Sequence, residues 1–222
     1  MGAYDVYKQQ IVETAQRLAA RGYLPATGGN LSVRLPGPPS LAVTPSNYGY
    51  HKMRPDDICI LDLALQPLEG ERPPSVESAL HAAVYERRPD VHAVIHTHQP
   101  YASALTLINA PIPALFDEQV RFLGRQVDII PYALSGTGPL KDLVARHVGD
   151  HHNAYLMQNH GVLCLGHDLE RAAHNVELLE KCAVAYLLAL CTEHEVSKIP
   201  EEVREILFAR LRAEQEKAEQ GR

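Results

Sequence analysis

The chain has 222 residues, of which 45% are hydrophobic and 22% are charged, and its formal net charge at pH 7 is −6. This is the composition of a soluble globular protein, long enough for a sizeable core in one large domain or two small ones. The negative charge argues against a nucleic-acid or anionic-membrane surface, and no apolar run approaches the roughly 20 residues that span a bilayer. Residues 1–10 lack the basic-then-apolar order of a signal peptide, so a cytoplasmic location is expected.

Helices and strands alternate along the chain according to the spacing of apolar residues. Helices are predicted over 4–21, 75–87, 100–109, 139–148, 168–193 and 200–218. Strands are predicted over 31–34, 41–43, 58–61, 91–97, 127–130, 154–157 and 162–165. We therefore predict one α/β domain over 1–222, with a central mixed or mostly antiparallel sheet flanked by helices on both sides. The segment 198–222 is predicted to be a C-terminal helical tail, which either closes over a neighbouring subunit's site or is a solvated helix.

The four cysteines are widely spaced, and each lies in an apolar run: Cys59, Cys164, Cys182 and Cys191. No Cys-x-x-Cys pair is present, so buried free thiols are favoured over disulfides or metal ligands.

A His-x-His pair ends the apolar strand predicted over 91–97. Residues i and i+2 of a strand point to the same face, so His96 and His98 can present two imidazoles to one point. Neutral imidazole is a favoured ligand of Zn²⁺ and its first-row neighbours. His160, in the turn before Gly161, is the best candidate for a third ligand, although it could be only a turn residue. Three histidines would leave a fourth coordination position open, which is the pattern of a catalytic metal site.

Glu77 stands at the start of the helix predicted over 75–87, four residues before His81. An acid at this position can simply interact with the helix dipole, and Ser75 can be an N-cap. Pairing with His81 is also possible, as is a role as metal ligand or general base. The sequence leaves these alternatives open.

Three polar turns could together form a phosphate pocket. The first, 27–30, contains Gly28, Gly29 and Asn30 and could form a nest of backbone N–H groups. Thr44 and Ser46 provide hydroxyls in a second loop, with Ser75 at a helix N-terminus. Each turn alone is better explained by ordinary capping, and none matches a Walker or dinucleotide motif.

Taken together, these residues resemble the class II aldolase/adducin-head family, and in particular its fuculose-1-phosphate aldolase-like sugar-phosphate aldolases. The resemblance covers roughly residues 5–195 and is carried by Thr27–Arg34, Thr44–Ser46, Ser75–Glu77 with His81, His96–His98 and Asn159–Val162. It implies one Zn²⁺ (or Mn²⁺ or Co²⁺) per subunit, and a C4 homotetramer with active sites between subunits. It also implies metal ligands, phosphate binders and an acid/base. The ligands would be His96, His98 and His160, the phosphate binders Gly28, Gly29, Asn30, Thr44, Ser46 and Ser75, and the acid/base Glu77.

The activity that the resemblance implies is cleavage of a ketose 1-phosphate to dihydroxyacetone phosphate and an aldehyde. The cation would stabilise the developing enediolate as a Lewis acid. Relatives that epimerise carry Asp where Glu77 stands here, which favours cleavage, and adducin-type heads lack the three histidines. The alternative in the same fold is a dehydratase, decarboxylase or 4-epimerase acting on a related sugar phosphate, and the alternative of another class is a binding module without chemistry.

The sequence departs from the family pattern in the segment 115–124. Relatives supply a second acid or base shortly before a glycine, and counting back from Gly124 places Val120 at that position. Either Glu118 or Asp117 takes this role from a shifted backbone, or the second acid/base is missing. Glu118 is the favoured candidate, although carboxylates are also common where a helix begins.

Overall fold

The computed structural model describes Gly2 and residues 4–220, and these residues form seven α-helices and eight β-strands. The helices are α1 (Asp5–Ala20), α2 (Ser78–Arg87), α3 (Pro100–Leu107), α4 (Asp117–Leu123), α5 (Gly138–His147), α6 (Leu169–Leu190) and α7 (Glu201–Gln220). The strands are β1 (Asn30–Leu35), β2 (Ser40–Val43), β3 (Cys59–Asp62), β4 (Pro67–Glu69), β5 (Ala93–Thr97), β6 (Asp128–Ile130), β7 (Ala154–Met157) and β8 (Gly161–Gly166).

All eight strands belong to one sheet, in the order β4-β3-β2-β1-β5-β8-β7-β6. Neighbouring strands pair antiparallel except β6 and β7, which are parallel. The prediction of a single α/β domain with a mixed, mostly antiparallel sheet is therefore confirmed.

Helices cover both faces of the sheet, as predicted. Alternate residues of β5 point to opposite faces: Ile95 packs in a core with residues of α1, α3 and α6, whereas Val94 packs with residues of α2 and α5. Both side chains are fully buried. Because each central strand is covered on both faces, its polar side chains must find partners in the interior or line a pocket at a strand end.

The observed elements differ from the predicted ones in three places. Strand β4 was not predicted, because it is a three-residue edge strand that begins with Pro67 and has only exposed residues. Helix α4 was not predicted as an element, since its seven residues carry too short an apolar pattern. Helix α2 begins at Ser78 instead of Ser75, because a turn closed by the Ser78 N–H on the Ser75 carbonyl precedes it.

Helix α7 packs against α4 of its own chain. Phe208 and Leu211 are buried there with Ala114 and Val120. Among the described helices, none combines the length and apolarity needed to cross a bilayer. All four cysteines are free thiols, as predicted, and three are buried; the expectation was wrong for Cys191, which is exposed at the end of α6.

Candidate metal centre and substrate pocket

Three histidines converge at one end of the sheet. The potential ligand atoms of His96, His98 and His160 all lie within 4.8 Å of one another. The Nε2 atoms of His96 and His98 are 2.9 Å apart. His96 lies in β5, His98 just after its end, and His160 in the turn before β8. These are the three side chains that were proposed from the sequence as metal ligands.

Strand register explains this convergence. Asn30 at the start of β1 lies opposite His96 near the end of β5, and Val162 near the start of β8 lies opposite Thr97. The beginnings of β1 and β8 and the end of β5 therefore meet at one edge. His160 immediately precedes β8 and so reaches the same point.

Two glycines allow the close packing around the histidines. A Cβ at Gly161 would lie 2.5 Å from His98 Cδ2 and 2.5 Å from the Thr97 carbonyl oxygen. Gly29 has a φ of +81°, and a Cβ there would lie 2.6 Å from the His96 carbonyl oxygen. Neither position has room for a larger residue without moving the histidine segment.

The protonation of His96 and His98 suits a metal. The Nδ1 atom of His96 donates to the carbonyl of Val162 at 2.8 Å, so its Nε2 atom carries the free lone pair that a metal needs. Burial lowers the pKa of His96 and of His98, which favours neutral rings. Two neutral Nε2 atoms that face each other at 2.9 Å are well placed to share a cation. The residues therefore fit a divalent metal.

Glu77 adjoins this cluster with both of its carboxylate oxygens. Oε2 lies 3.4 Å from His96 Nε2, and Oε1 lies 3.3 Å from His160 Nε2. Oε2 also accepts from Asn30 Nδ2 and Oε1 from the Ser135 hydroxyl, each at 2.7 Å. Burial alone would raise the pKa of Glu77, but the adjacent imidazoles and these two donors outweigh it and lower the pKa. Glu77 is thus held as a carboxylate within reach of a shared metal.

A small pocket of about 150 Å³ opens beside Glu77. Most of the predicted site residues line it: Gly28, Gly29, Asn30, Ser46, Ser75, Glu77, His98 and His160. Among the described residues that line it, none is Lys or Arg. An anion in this pocket would therefore be bound by hydroxyls, backbone N–H groups and the N-terminal end of α2.

The predicted phosphate binders differ in what they offer to a ligand. The Thr44 hydroxyl is buried outside the pocket lining and accepts from the Leu31 N–H at 3.2 Å. The Gly28 N–H already donates to the Pro25 carbonyl at 2.8 Å. Ser75 Oγ accepts from the Glu77 N–H at 3.2 Å, which leaves its own hydroxyl hydrogen available.

Glu118 lies in the first turn of α4, outside the pocket lining of its own chain. Its carboxylate forms a 2.7 Å ion pair with Lys181 on α6, and both side chains are largely exposed. Val120, which the family spacing placed at the second acid/base position, is fully buried. A role for Glu118 therefore depends on a site other than the one in its own chain.

Sequence reasoning missed Ser135, which comes from the loop between β6 and α5 and donates to Glu77. Its short polar segment, 135–138, lies between the strand predicted over 127–130 and the helix predicted over 139–148, and no site residue was predicted there. In the sequence His152 stands in a polar loop after a helix end, which predicts a solvated or capping side chain, and this prediction is wrong. Its ring is buried, with Nδ1 3.2 Å from Asp128 and 3.3 Å from Asp150.

Comparison with known proteins agrees with this geometry. The family described as Class II Aldolase and Adducin N-terminal domain matches residues 9–187. The chain belongs to this family. It is 32% identical over 179 residues to a 5-deoxy-D-ribulose 1-phosphate aldolase of Bacillus thuringiensis, with 81% of this chain and 83% of that protein covered. It is 33% identical over 197 residues to an L-fuculose phosphate aldolase of Escherichia coli, with 87% and 88% covered.

A solved structure of an L-fuculose 1-phosphate aldolase superimposes with a TM-score of 0.85 at 31% identity, covering 92% of this chain and 95% of that one. The predicted family and its fold are therefore confirmed. The prediction that the chain is an enzyme of the class II aldolase type is confirmed as well, since the relatives in this family are named aldolases.

Proposed function

We propose that the protein is a divalent-metal-dependent aldolase that cleaves a ketose 1-phosphate to dihydroxyacetone phosphate and an aldehyde. The observation that carries this proposal is the convergence of His96, His98 and His160 on one point beside the clamped carboxylate of Glu77. A Zn²⁺, Mn²⁺ or Co²⁺ ion bound there would act as a Lewis acid that stabilises the negative charge of the enediolate.

The chain's own residues would hold the substrate and move its proton. Asn30, Ser46 and Ser75 line the pocket with polar groups that can bind phosphate oxygens. Gly29 has no side chain, so a ligand can approach the backbone closely there. Glu77 would accept or donate the proton at the enediolate carbon. Its lowered pKa keeps it in the carboxylate form, which can accept a proton, and its burial limits contact with competing water.

We propose further that the active assembly is a C4 homotetramer with sites between subunits. Val76 lines the pocket yet is 65% exposed, and Leu134 beside Ser135 is also 65% exposed. Exposed apolar side chains at a pocket mouth are typical of a surface that another chain covers. In such an assembly Glu118 would act as the second acid/base in the site of a neighbouring subunit.

The decisive experiment measures release of dihydroxyacetone phosphate from a panel of ketose 1-phosphates. Zinc, cobalt or manganese is supplied, and a chelator serves as control. Release that the chelator abolishes and that Glu77→Gln loses supports the proposal. Glu86→Gln, at an exposed position of α2, is the matched control and should leave the rate unchanged. A metal-loaded wild-type protein that releases none would refute aldol cleavage and favour dehydration, decarboxylation or epimerisation.

The role of Glu118 is tested by subunit mixing. Glu77→Gln and Glu118→Gln should each be inactive alone, and co-refolded mixtures should regain activity because some sites then combine two intact acids. Full activity of Glu118→Gln by itself would refute its role. Light scattering of the wild-type protein measures the tetramer directly.

A further inference from the structure

A line of buried polar side chains runs from Glu77 into the interior, between α2 and β1. We call these residues, Glu77, Asn30, His81, Ser32 and Tyr85, the α2–β1 network. Asn30 Nδ2 lies 2.7 Å from Glu77, and Asn30 Oδ1 lies 2.5 Å from His81 Nε2. His81 Nδ1 lies 2.6 Å from Ser32 Oγ, which lies 2.7 Å from the Tyr85 hydroxyl. All five side chains are buried, and those of His81 and Ser32 are completely inaccessible.

The sequence spacing explains how the network forms. Glu77, His81 and Tyr85 follow one another at intervals of four residues, so they lie on one stripe of α2 and the turn before it. Asn30 and Ser32 are two residues apart on β1, so they point to the same face of the sheet. Along the network, side chains from the helix stripe alternate with side chains from β1, in the order Glu77, Asn30, His81, Ser32 and Tyr85. Such an arrangement places polar groups in a core only because each finds a partner.

The direction of every hydrogen bond in the network follows from its charged end. The carboxylate of Glu77 can only accept, so Asn30 must present its NH₂ group to it. The Asn30 carbonyl oxygen then accepts from an N–H at His81 Nε2. The Nδ1 atom of His81 accepts from Ser32, whose oxygen accepts from Tyr85. Burial lowers the pKa of His81 to about 4, which agrees with a neutral ring that carries a single N–H.

Rotation of the Asn30 amide would break this arrangement at both ends. Its carbonyl oxygen would then face the Glu77 carboxylate, and its NH₂ group would face the N–H of His81. Two buried hydrogen bonds would be replaced by two repulsive contacts. The partner of the other Glu77 oxygen is different, since the Ser135 hydroxyl lies on an exposed loop and can both donate and accept.

We propose that His81, backed by Ser32 and Tyr85, is a positioning residue that locks the Asn30 amide with its NH₂ group toward Glu77. This inference rests on the proposed role of Glu77 as metal-site carboxylate and acid/base. Oε2 of Glu77 then faces a group that can only donate, whereas Oε1 faces the Ser135 hydroxyl. The second hydrogen of the Asn30 NH₂ group remains available to a substrate oxygen.

The test is a double-mutant cycle between His81 and Asn30, measured both as kcat/KM and as metal affinity. His81→Met should lower kcat/KM and metal affinity by about 10–100-fold in the wild-type background, as removal of a residue that orients a metal-site group typically does. In the Asn30→Ala background the same substitution should cost little more, because no amide remains to be oriented. His81→Gln, whose amide nitrogen can replace Nε2 as donor, should keep most of the wild-type value.

Equal losses from His81→Met with and without Asn30 would show a role in packing alone and would overturn the proposal. If His81→Met does not fold, Tyr85→Phe replaces it in the cycle, because it removes only the hydroxyl at the far end of the network. Its effects on kcat/KM and metal affinity are then compared with and without Asn30. A wild-type protein that binds metal but cleaves no ketose 1-phosphate would refute the proposed function. The cycle measured on metal affinity would still decide the role of His81.

Discussion

Replacement of Gly161 by alanine tests whether the site has the geometry described above. The added Cβ would lie 2.5 Å from both His98 Cδ2 and the Thr97 carbonyl oxygen, where ordinary contact begins at 3.4 Å. The shortfall is about 0.9 Å. Thr97 is fixed by its pairing with Val162 in the sheet, so the displacement must fall largely on the His98 ring and the turn that carries His160.

Displacement of this size exceeds what a metal site tolerates, since ligand distances hold to about 0.2 Å. We expect Gly161→Ala to weaken metal binding by about 10–100-fold, which corresponds to about 1.4–2.8 kcal/mol. Overpacking should also lower the free energy of unfolding by about 1–3 kcal/mol. Competition with a chromophoric chelator measures the first effect, and urea denaturation without metal measures the second.

The matched control is Gly138→Ala at the start of α5. A Cβ there meets nothing within 4 Å, so both metal affinity and stability should stay close to the wild-type values. Metal affinity of Gly161→Ala within twofold of this control would refute the packing of Gly161 against the metal ligands.

Three further predictions concern stability. The folded protein holds the pKa of His81 near 4 against an ordinary 6.5, so only the unfolded chain takes up this proton as the pH falls. Between pH 7 and pH 4 this one group should lower the free energy of unfolding by about 3 kcal/mol, so the loss measured for His81→Gln by urea denaturation at each pH should be smaller than that of wild type by about this amount. Asp90→Ala should destabilise by about 3–5 kcal/mol, because it leaves the buried guanidinium of Arg88 without its bidentate partner; an unchanged urea midpoint would contradict this. Phe208→Ala should cost about 3–5 kcal/mol and detach α7, with faster proteolysis at the C-terminus than in wild type.

The metal cluster could be predicted from the sequence because its geometry is local. A strand fixes that His96 and His98 share a face, and a turn before β8 fixes the position of His160. The stretch that carries the pair is apolar and β-branched, which is typical of a central strand. Only the approach of His160 to this pair had to be added, and the resemblance to a family implied it. The three histidines converge in the structure for these reasons.

Contacts that depend on the path of a loop could not be predicted in this way. Ser135 approaches Glu77 only because the loop after β6 turns back over the N-terminal end of α2, and no periodicity describes that path. Thr44 shows a contact of the same kind: its hydroxyl was proposed as a phosphate binder from the loop's composition and the family resemblance, and in this chain its oxygen also accepts from the Leu31 N–H of β1. Hydroxyls in loops commonly form hydrogen bonds with nearby backbone groups, so their presence alone does not identify a ligand site.

The contacts of the α2–β1 network join distant parts of the chain, yet they depend on residue spacings that are visible within short stretches of the sequence. The four-residue spacing of Glu77, His81 and Tyr85 is visible in the sequence, and so is the two-residue spacing of Asn30 and Ser32. Neither pattern is informative until the fold places β1 against α2, because polar residues at helical spacing usually belong to a solvated face. Once both elements are known to be buried, the same spacing requires each polar group to have a partner. Through Asn30 the acid/base candidate is thus tied to three core residues that do not line the pocket, His81, Ser32 and Tyr85, and a substitution at Tyr85 can affect the site from the far end of the network.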